Sequence, residues 1–291
     1  HCFVLLIPYI SYFRASVLRM EKFIEYKGAK IHYTDQPAHH AGGHKGRCIV
    51  FLHGFLESIE IWEDYAKSLS ESYRIVCIDL PGHGKSENIG YVHKMGLMAD
   101  CVKEVLRFLQ ITKCVMIGHS MGGYITLAFA EKHEQNLRGF ALFHSHAAPD
   151  PEEKKKDRDK AIQVVKRKPV ILINELVPNL FAAENRDKYN KEIEKIKNIA
   201  AAMTKRGIVN CLEGMKDRAD KREILKKTKV PVLLILGKKD PVMNYEALKP
   251  QSQLSEQIQF LSVENAGHMG FYEAGEECFL AIKKFIRKCH L

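Results

Sequence analysis

A serine hydroxyl attacks a carbonyl group effectively only when a neighbouring base takes its proton and a third group orients that base. The stretch Gly118-His119-Ser120-Met121-Gly122-Gly123 offers a serine for this chemistry because of what flanks it. Lys113-Cys114-Val115-Met116-Ile117 is a short apolar run that reads as a buried parallel strand. Tyr124 to Lys132 has helical spacing and no breaker. G-x-S-x-G between a strand and a helix is a tight elbow, in which the serine adopts strained backbone and needs small neighbours. Gly118 and Gly122 supply them, and Ser120 Oγ then stands at a helix N-terminus that favours developing negative charge. The plainer alternative is a glycine-rich turn with an incidental serine. The rest of the chain argues against it.

In this kind of elbow the partners follow in the order Ser, then Asp or Glu, then His, each on a loop after a later strand. Val230 to Gly237 is a continuous apolar run, hence a central parallel strand. It opens into Lys238-Lys239-Asp240-Pro241-Val242, so Asp240 falls at a strand's C-terminal end, where open α/β sheets build their sites. Ile258 to Val263 reads as the next strand and leads into Asn265-Ala266-Gly267-His268-Met269-Gly270, before a helix from Glu276 to Lys288. His268 is the expected base and Asp240 its orienter. Asp150 is the next choice of acid.

With these residues the chain resembles the α/β-hydrolase superfamily, in its small cytosolic branch with a helical lid, from about residue 21 to the C-terminus. Phe51-Leu52-His53-Gly54-Phe55-Leu56 resembles the family's oxyanion loop. Asp79-Leu80-Pro81-Gly82-His83-Gly84-Lys85-Ser86 resembles its turn after the following strand. The resemblance implies an oxyanion hole formed by the backbone N–H groups of Phe55 and Met121. It also implies a mostly parallel sheet flanked by helices, carrying a helical lid insertion.

Other histidines read as structural. His83, with Ser86, holds its Gly-Pro loop, His53 packs beneath the oxyanion turn, and His119 points away from Ser120 into a buried hydrogen bond. His144 and His146, after the strand Gly139 to Phe143, take core or rim positions. His39, His40 and His44 lie in an exposed connection between Pro37 and Gly46, with no Cys or carboxylate to complete a metal site. No metal or cofactor is expected.

The 291 residues, 46% hydrophobic, suffice for one catalytic core, assigned to residues 20–149 and 229–291, with a lid over 150–228. Eight cysteines without C-x-x-C spacing read as core residues in a reducing compartment, and a cytoplasmic protein is expected. The net charge of +10 is local. Residues 150–229 hold 22 Lys/Arg against 14 Asp/Glu. The charges interleave without aromatic residues, which marks solvated helix faces rather than a nucleic-acid surface. Helices broken near Pro169, Pro178, Ala183 and Gly207 carry more apolar residues than a surface element needs. Leu176, Phe181 and Leu212, with Tyr124, are therefore assigned to the pocket wall. Residues 1–19 contain an apolar run too short to span a membrane and no clear cleavage site. They read as an extension outside the fold, with Met20 favoured as the start.

The expected function is hydrolysis of a carboxylic ester or similar small acyl compound through an acyl-enzyme, by a monomer or homodimer with small-molecule partners and no membrane association. Carbon–carbon cleavage, menaquinone-type elimination and perhydrolysis use the same triad and stay open. So does a ligand-sensing signalling protein on this scaffold.

Overall fold

The computed structural model describes residues 21–38 and 47–290. The reading of residues 1–19, and that of His39, His40 and His44, lies outside the described residues.

The chain enters through a hairpin, β1 (Lys22–Tyr26) and β2 (Ala29–Gln36), with Tyr26 paired to Ala29. Lys27 and Gly28 both adopt positive φ (51° and 74°), as a two-residue turn must to match the strand twist. Then follow β3 (Cys48–Leu52), β4 (Arg74–Ile78), β5 (Cys114–His119), β6 (Leu137–Phe143), β7 (Val232–Gly237) and β8 (Ile258–Val263). They form one eight-stranded sheet in the order β1-β2-β4-β3-β5-β6-β7-β8, parallel from β4 onward along that order. Strands β3, β5 and β7 are buried at every position, which explains why they read as unbroken apolar runs instead of alternating ones.

Helices α1 (Glu63–Leu69), α2 (Met95–Phe108) and α3 (Met121–His133) connect the first four parallel strands, β3 to β6. Between β6 and β7 the chain inserts α4 (Glu152–Arg167), α5 (Pro169–Leu176), α6 (Asn190–Ala201), α7 (Lys205–Lys216) and α8 (Arg222–Lys227). The short α9 (Tyr245–Leu248) and α10 (Gly270–Glu273) precede the C-terminal α11 (Gly275–His290). Pro169 and Pro178 each begin a new helical segment, as fixed φ and a missing donor allow.

The break expected near Gly207 falls just ahead of it, between Ala201 and Lys205. Gly207 lies inside the first turn of α7, where Thr204 caps the helix by accepting its N–H at 3.0 Å. Its value is steric: a Cβ there would sit 2.6 Å from the Gly82 carbonyl oxygen. Glycine lets the insertion touch the Asp79–Ser86 loop backbone to backbone.

The chain leaves β3 for β4 on one side and returns past it to β5 on the other. A crevice opens at such a switch point, outside the carboxyl ends of the strands. The loops after β3, β5, β7 and β8 all emerge at this edge, and they carry Phe55, Ser120, Asp240 and His268.

Candidate active site

Ser120 sits between β5 and α3 with φ 50° and ψ −115°, a conformation that side-chain-bearing residues avoid. Packing enforces it. Ser120 N–H donates to the Phe143 carbonyl at 3.0 Å, and a Cβ on Gly122 would lie 2.7 Å from the His53 carbonyl oxygen. Met121 opens α3, so its N–H has no acceptor within the helix. Phe55 N–H likewise has no hydrogen-bond acceptor among the described residues. Its own loop is held by His53, whose Nδ1 meets the Gly54 carbonyl at 2.7 Å while Nε2 accepts the Leu80 N–H at 3.0 Å.

Asp240 and His268 meet directly: His268 Nδ1 lies 2.8 Å from Asp240 Oδ2. The other carboxylate oxygen accepts the N–H groups of Val242 (2.8 Å) and Met243 (2.9 Å). Burial alone would raise the Asp240 value. The electrostatic pull of the His268 ring and hydrogen bonding from the neighbouring imidazoles prevail and hold it well below the usual carboxylate range. An ionised carboxylate only accepts, so the His268 proton resides on Nδ1 and the Nε2 lone pair is available as a base. His268 and Ser120 both line one cavity, and neither Nε2 nor Oγ has a hydrogen-bond partner among the described residues.

The His268 loop is tied down from several sides. Its N–H donates to Leu180 of the insertion at 2.7 Å. Glu273 accepts from Gly267 N–H and, through its other oxygen, from Ala182 N–H, both at 2.9 Å.

A buried ion pair lies behind these loops. Glu57 Oε2 accepts from Gly54 N–H (2.5 Å) and from His119 Nδ1 (3.0 Å), while His119 Nε2 reaches the His268 carbonyl at 2.9 Å. Both neighbours of the His119 ring are acceptors, so the ring must carry two protons. Burial opposes each charge, yet the partner's charge wins: His119 is shifted up and Glu57 down. This pair joins the loops of Gly54, Ser120 and His268. Glu57→Gln strands a buried imidazolium and should cost about 3–5 kcal/mol of stability, measured by denaturant unfolding. The depressed Glu57 value makes its contribution present above about pH 4.3, and the raised His119 value makes its own present below about pH 6.5. The deficit should therefore be largest between those limits. It should shrink as pH rises through the raised His119 value.

His144 lies beneath Asp240 at positive φ (44°), with Nδ1 3.5 Å from Asp240 Oδ2, and burial pushes it to about 4, so it is neutral. Asp150, the alternative acid, lies with Arg158 and Arg218 instead. The cavity has a volume of about 590 Å³, within the range of small-molecule sites. Tyr124, Leu176 and Leu212 line it, as expected. Phe181 does not. The short turn Pro178–Leu180 presents Leu180 to the cavity and leaves Phe181 stacked between Tyr189 (5.9 Å) and Tyr272 (6.3 Å).

A family profile for the alpha/beta hydrolase fold matches residues 47–275. The chain belongs to the α/β-hydrolase family. This α/β hydrolase is 28% identical over 253 residues to the AB hydrolase superfamily protein YisY of Bacillus subtilis, spanning 84% of this chain and 92% of that one. A thermophilic esterase from Thermogutta terrifontis, solved with malate bound, superposes with a TM-score of 0.85 at 27% identity, covering 93% of this chain and 99% of the other. Epoxide hydrolase 4 of Homo sapiens matches 112 residues at 32% identity, 37% of this chain and 29% of that protein.

Several contributors escaped the sequence reading. Glu57 carries no motif signal apart from its place three residues after Gly54, and His144 reads as a plain core or rim histidine. Their roles depend on loops that meet only in the folded chain.

Proposed function

We propose that this α/β hydrolase cleaves a carboxylic ester through an acyl-enzyme, with Ser120 as nucleophile, His268 as base and Asp240 as its orienter. The observation that carries the reading is the Asp240–His268 hydrogen bond, which leaves the Nε2 lone pair in the cavity that Ser120 also lines. His268 Nε2 takes the hydroxyl proton as Oγ attacks the carbonyl. The Phe55 and Met121 N–H groups receive the oxyanion, each such donor being typically worth a few kcal/mol. Collapse of the intermediate expels the alcohol, to which His268 returns the proton. Water activated by the same nitrogen then releases the acid. The similarity to an esterase supports this chemistry. Serine at position 120, where a carboxylate nucleophile would be needed for epoxide opening, sets the chain apart from its partial epoxide hydrolase relative. A panel of short-chain p-nitrophenyl esters tests the reading, with Ser120→Ala as control. Absence of Ser120-dependent turnover across the panel would remove it.

The insertion between β6 and β7 acts, in this reading, as a lid that sets substrate choice. Leu176→Ala or Leu212→Ala should shift acyl-chain preference by about 1–3 kcal/mol, the usual value of an apolar pocket contact. The measurement is kcat/KM across a chain-length series. A uniform loss at every length would assign these leucines to packing alone. All seven cysteines among the described residues are free and buried, which supports a reducing, cytoplasmic setting. No helix among the described residues is long and apolar enough to cross a membrane.

A further inference from the structure

Building on the ester-hydrolase reading of the Ser120 cavity, we propose that the insertion end of this cavity is an anion subsite. The substrate is then an ester that also carries a carboxylate, the simplest example being a hemiester of a dicarboxylic acid.

The argument begins with Asp150, which is buried and shared by two arginines. Arg158 pairs with one of its oxygens, and Arg218 Nη1 reaches the other at 2.6 Å. One carboxylate cannot neutralise two guanidinium groups, so a full positive charge remains. Arg158 lines the cavity, and its Nη1 has no partner among the described residues. Arg218 lies over the Tyr124 ring, 4.1 Å from its centroid. Lys154 precedes Arg158 by one helical turn on α4 and therefore shares its face. It lines the same wall and has no ion pair or hydrogen bond among the described residues. Burial, and next the Arg158 charge, lower its value, as expected where positive charge is in surplus.

The other charges on this wall are matched. Asp157 pairs with Lys160 at 3.1 Å, Arg222 with Asp220, and Glu57 with His119.

His146 supplies an independent sign of a missing acceptor. Its buried ring places Nε2 3.4 Å from both Arg218 Nη2 and the Tyr124 hydroxyl. Arginine only donates, so Nε2 must accept. Burial and the Arg218 charge push the ring down to about 3, so it is neutral and its single proton lies on Nδ1. That Nδ1–H is buried and unpartnered. A buried donor without an acceptor destabilises a fold, and the residue that carries this one stands in the cavity wall. Lys154 and Arg158 Nη1 are both donors on this wall. A planar carboxylate, accepting through both oxygens, is the complement to such a set.

A purely structural role for the Asp150 cluster, clamping the insertion to the core, makes a different forecast: charged and neutral esters would be handled alike. The test uses the full chain and compares monomethyl with dimethyl esters of the diacids from succinic to suberic, following methanol release near pH 7.5. At the chain length that spans the site, kcat/KM for the monomethyl ester should exceed that for the dimethyl ester by about tenfold or more, the effect of one charge-assisted hydrogen bond. In Lys154→Gln the monomethyl-to-dimethyl ratio should fall by about tenfold. Calorimetric titration with adipate, run in parallel, should show binding that Lys154→Gln weakens by a similar factor. Equal or better turnover of the dimethyl ester at every length would overturn the subsite while leaving the hydrolase reading in place. If neither ester turns over and the p-nitrophenyl panel is also inert, the hydrolase reading fails. Adipate binding then decides the subsite by itself, and its absence at tens of millimolar would end the proposal.

Discussion

Replacing Ser120 with alanine should lower ester turnover by about a millionfold, the order lost when the serine of such a unit is removed, with little change in melting temperature. The size follows from the proposed division of labour. The His268 lone pair has no substrate proton to take once Oγ is gone, and the oxyanion donors then act on uncatalysed water alone. The backbone is not relieved by the change, because alanine is as strained as serine at φ 50°. The surrounding constraints, Gly122 against the His53 carbonyl and Ser120 N–H on Phe143, involve main-chain atoms that alanine keeps. Kinetics with a p-nitrophenyl ester and a thermal melt of each protein check both halves. Turnover within tenfold of wild type would place the nucleophile elsewhere.

Asp240→Asn should cost about 10⁴-fold in kcat, if the residue behaves as the orienting aspartate of a serine triad does. The amide carbonyl can keep the Val242 and Met243 N–H bonds now made to Oδ1. The amide NH₂ then faces His268 Nδ1, and a donor there forces the ring proton onto Nε2. The base is lost while the geometry stays. His144, 3.5 Å away, meets the same donor and offers no replacement acceptor in its neutral state beyond one ring nitrogen. The substitution should also remove a pH-dependent contribution to stability. Because Asp240 is held well below its ordinary value, that contribution is present above about pH 3.9 and is lost as pH falls through the depressed folded value. A variant with near-wild-type kcat would require another acid. Asp150 would be a poor successor, since two arginines already hold it at the insertion end.

Much of this was legible before folding, for reasons that can be named. Strands β3, β5 and β7 are buried on both faces, so nothing but apolar residues suits them, and unbroken runs mark them out. Ser120, Asp240 and His268 could be named because each directly follows a readable strand. The order of strands in the chain then brings them to one edge. The helical insertion was harder to read. The break expected near Gly207 lies at 202–204, and Gly207 itself is tolerated inside α7, where its missing side chain lets the helix approach Gly82. Phe181 looked like a pocket wall because it is large and apolar, and a three-residue turn sends it to the Tyr189 and Tyr272 rings instead.

Local sequence determined this protein's strands, its elbow and the order of its proposed reactive groups, since strand burial and tight-turn sterics act over a few residues at a time. The tertiary structure decided the rest. Glu57 meets His119 across 62 positions, His144 settles under Asp240, and Arg158 and Arg218 converge on Asp150. Each of these depends on the through-space approach of charges and donors in a desolvated interior. There an unmatched group is costly and a matched one is shifted, and no spacing along the chain records which partner it will meet.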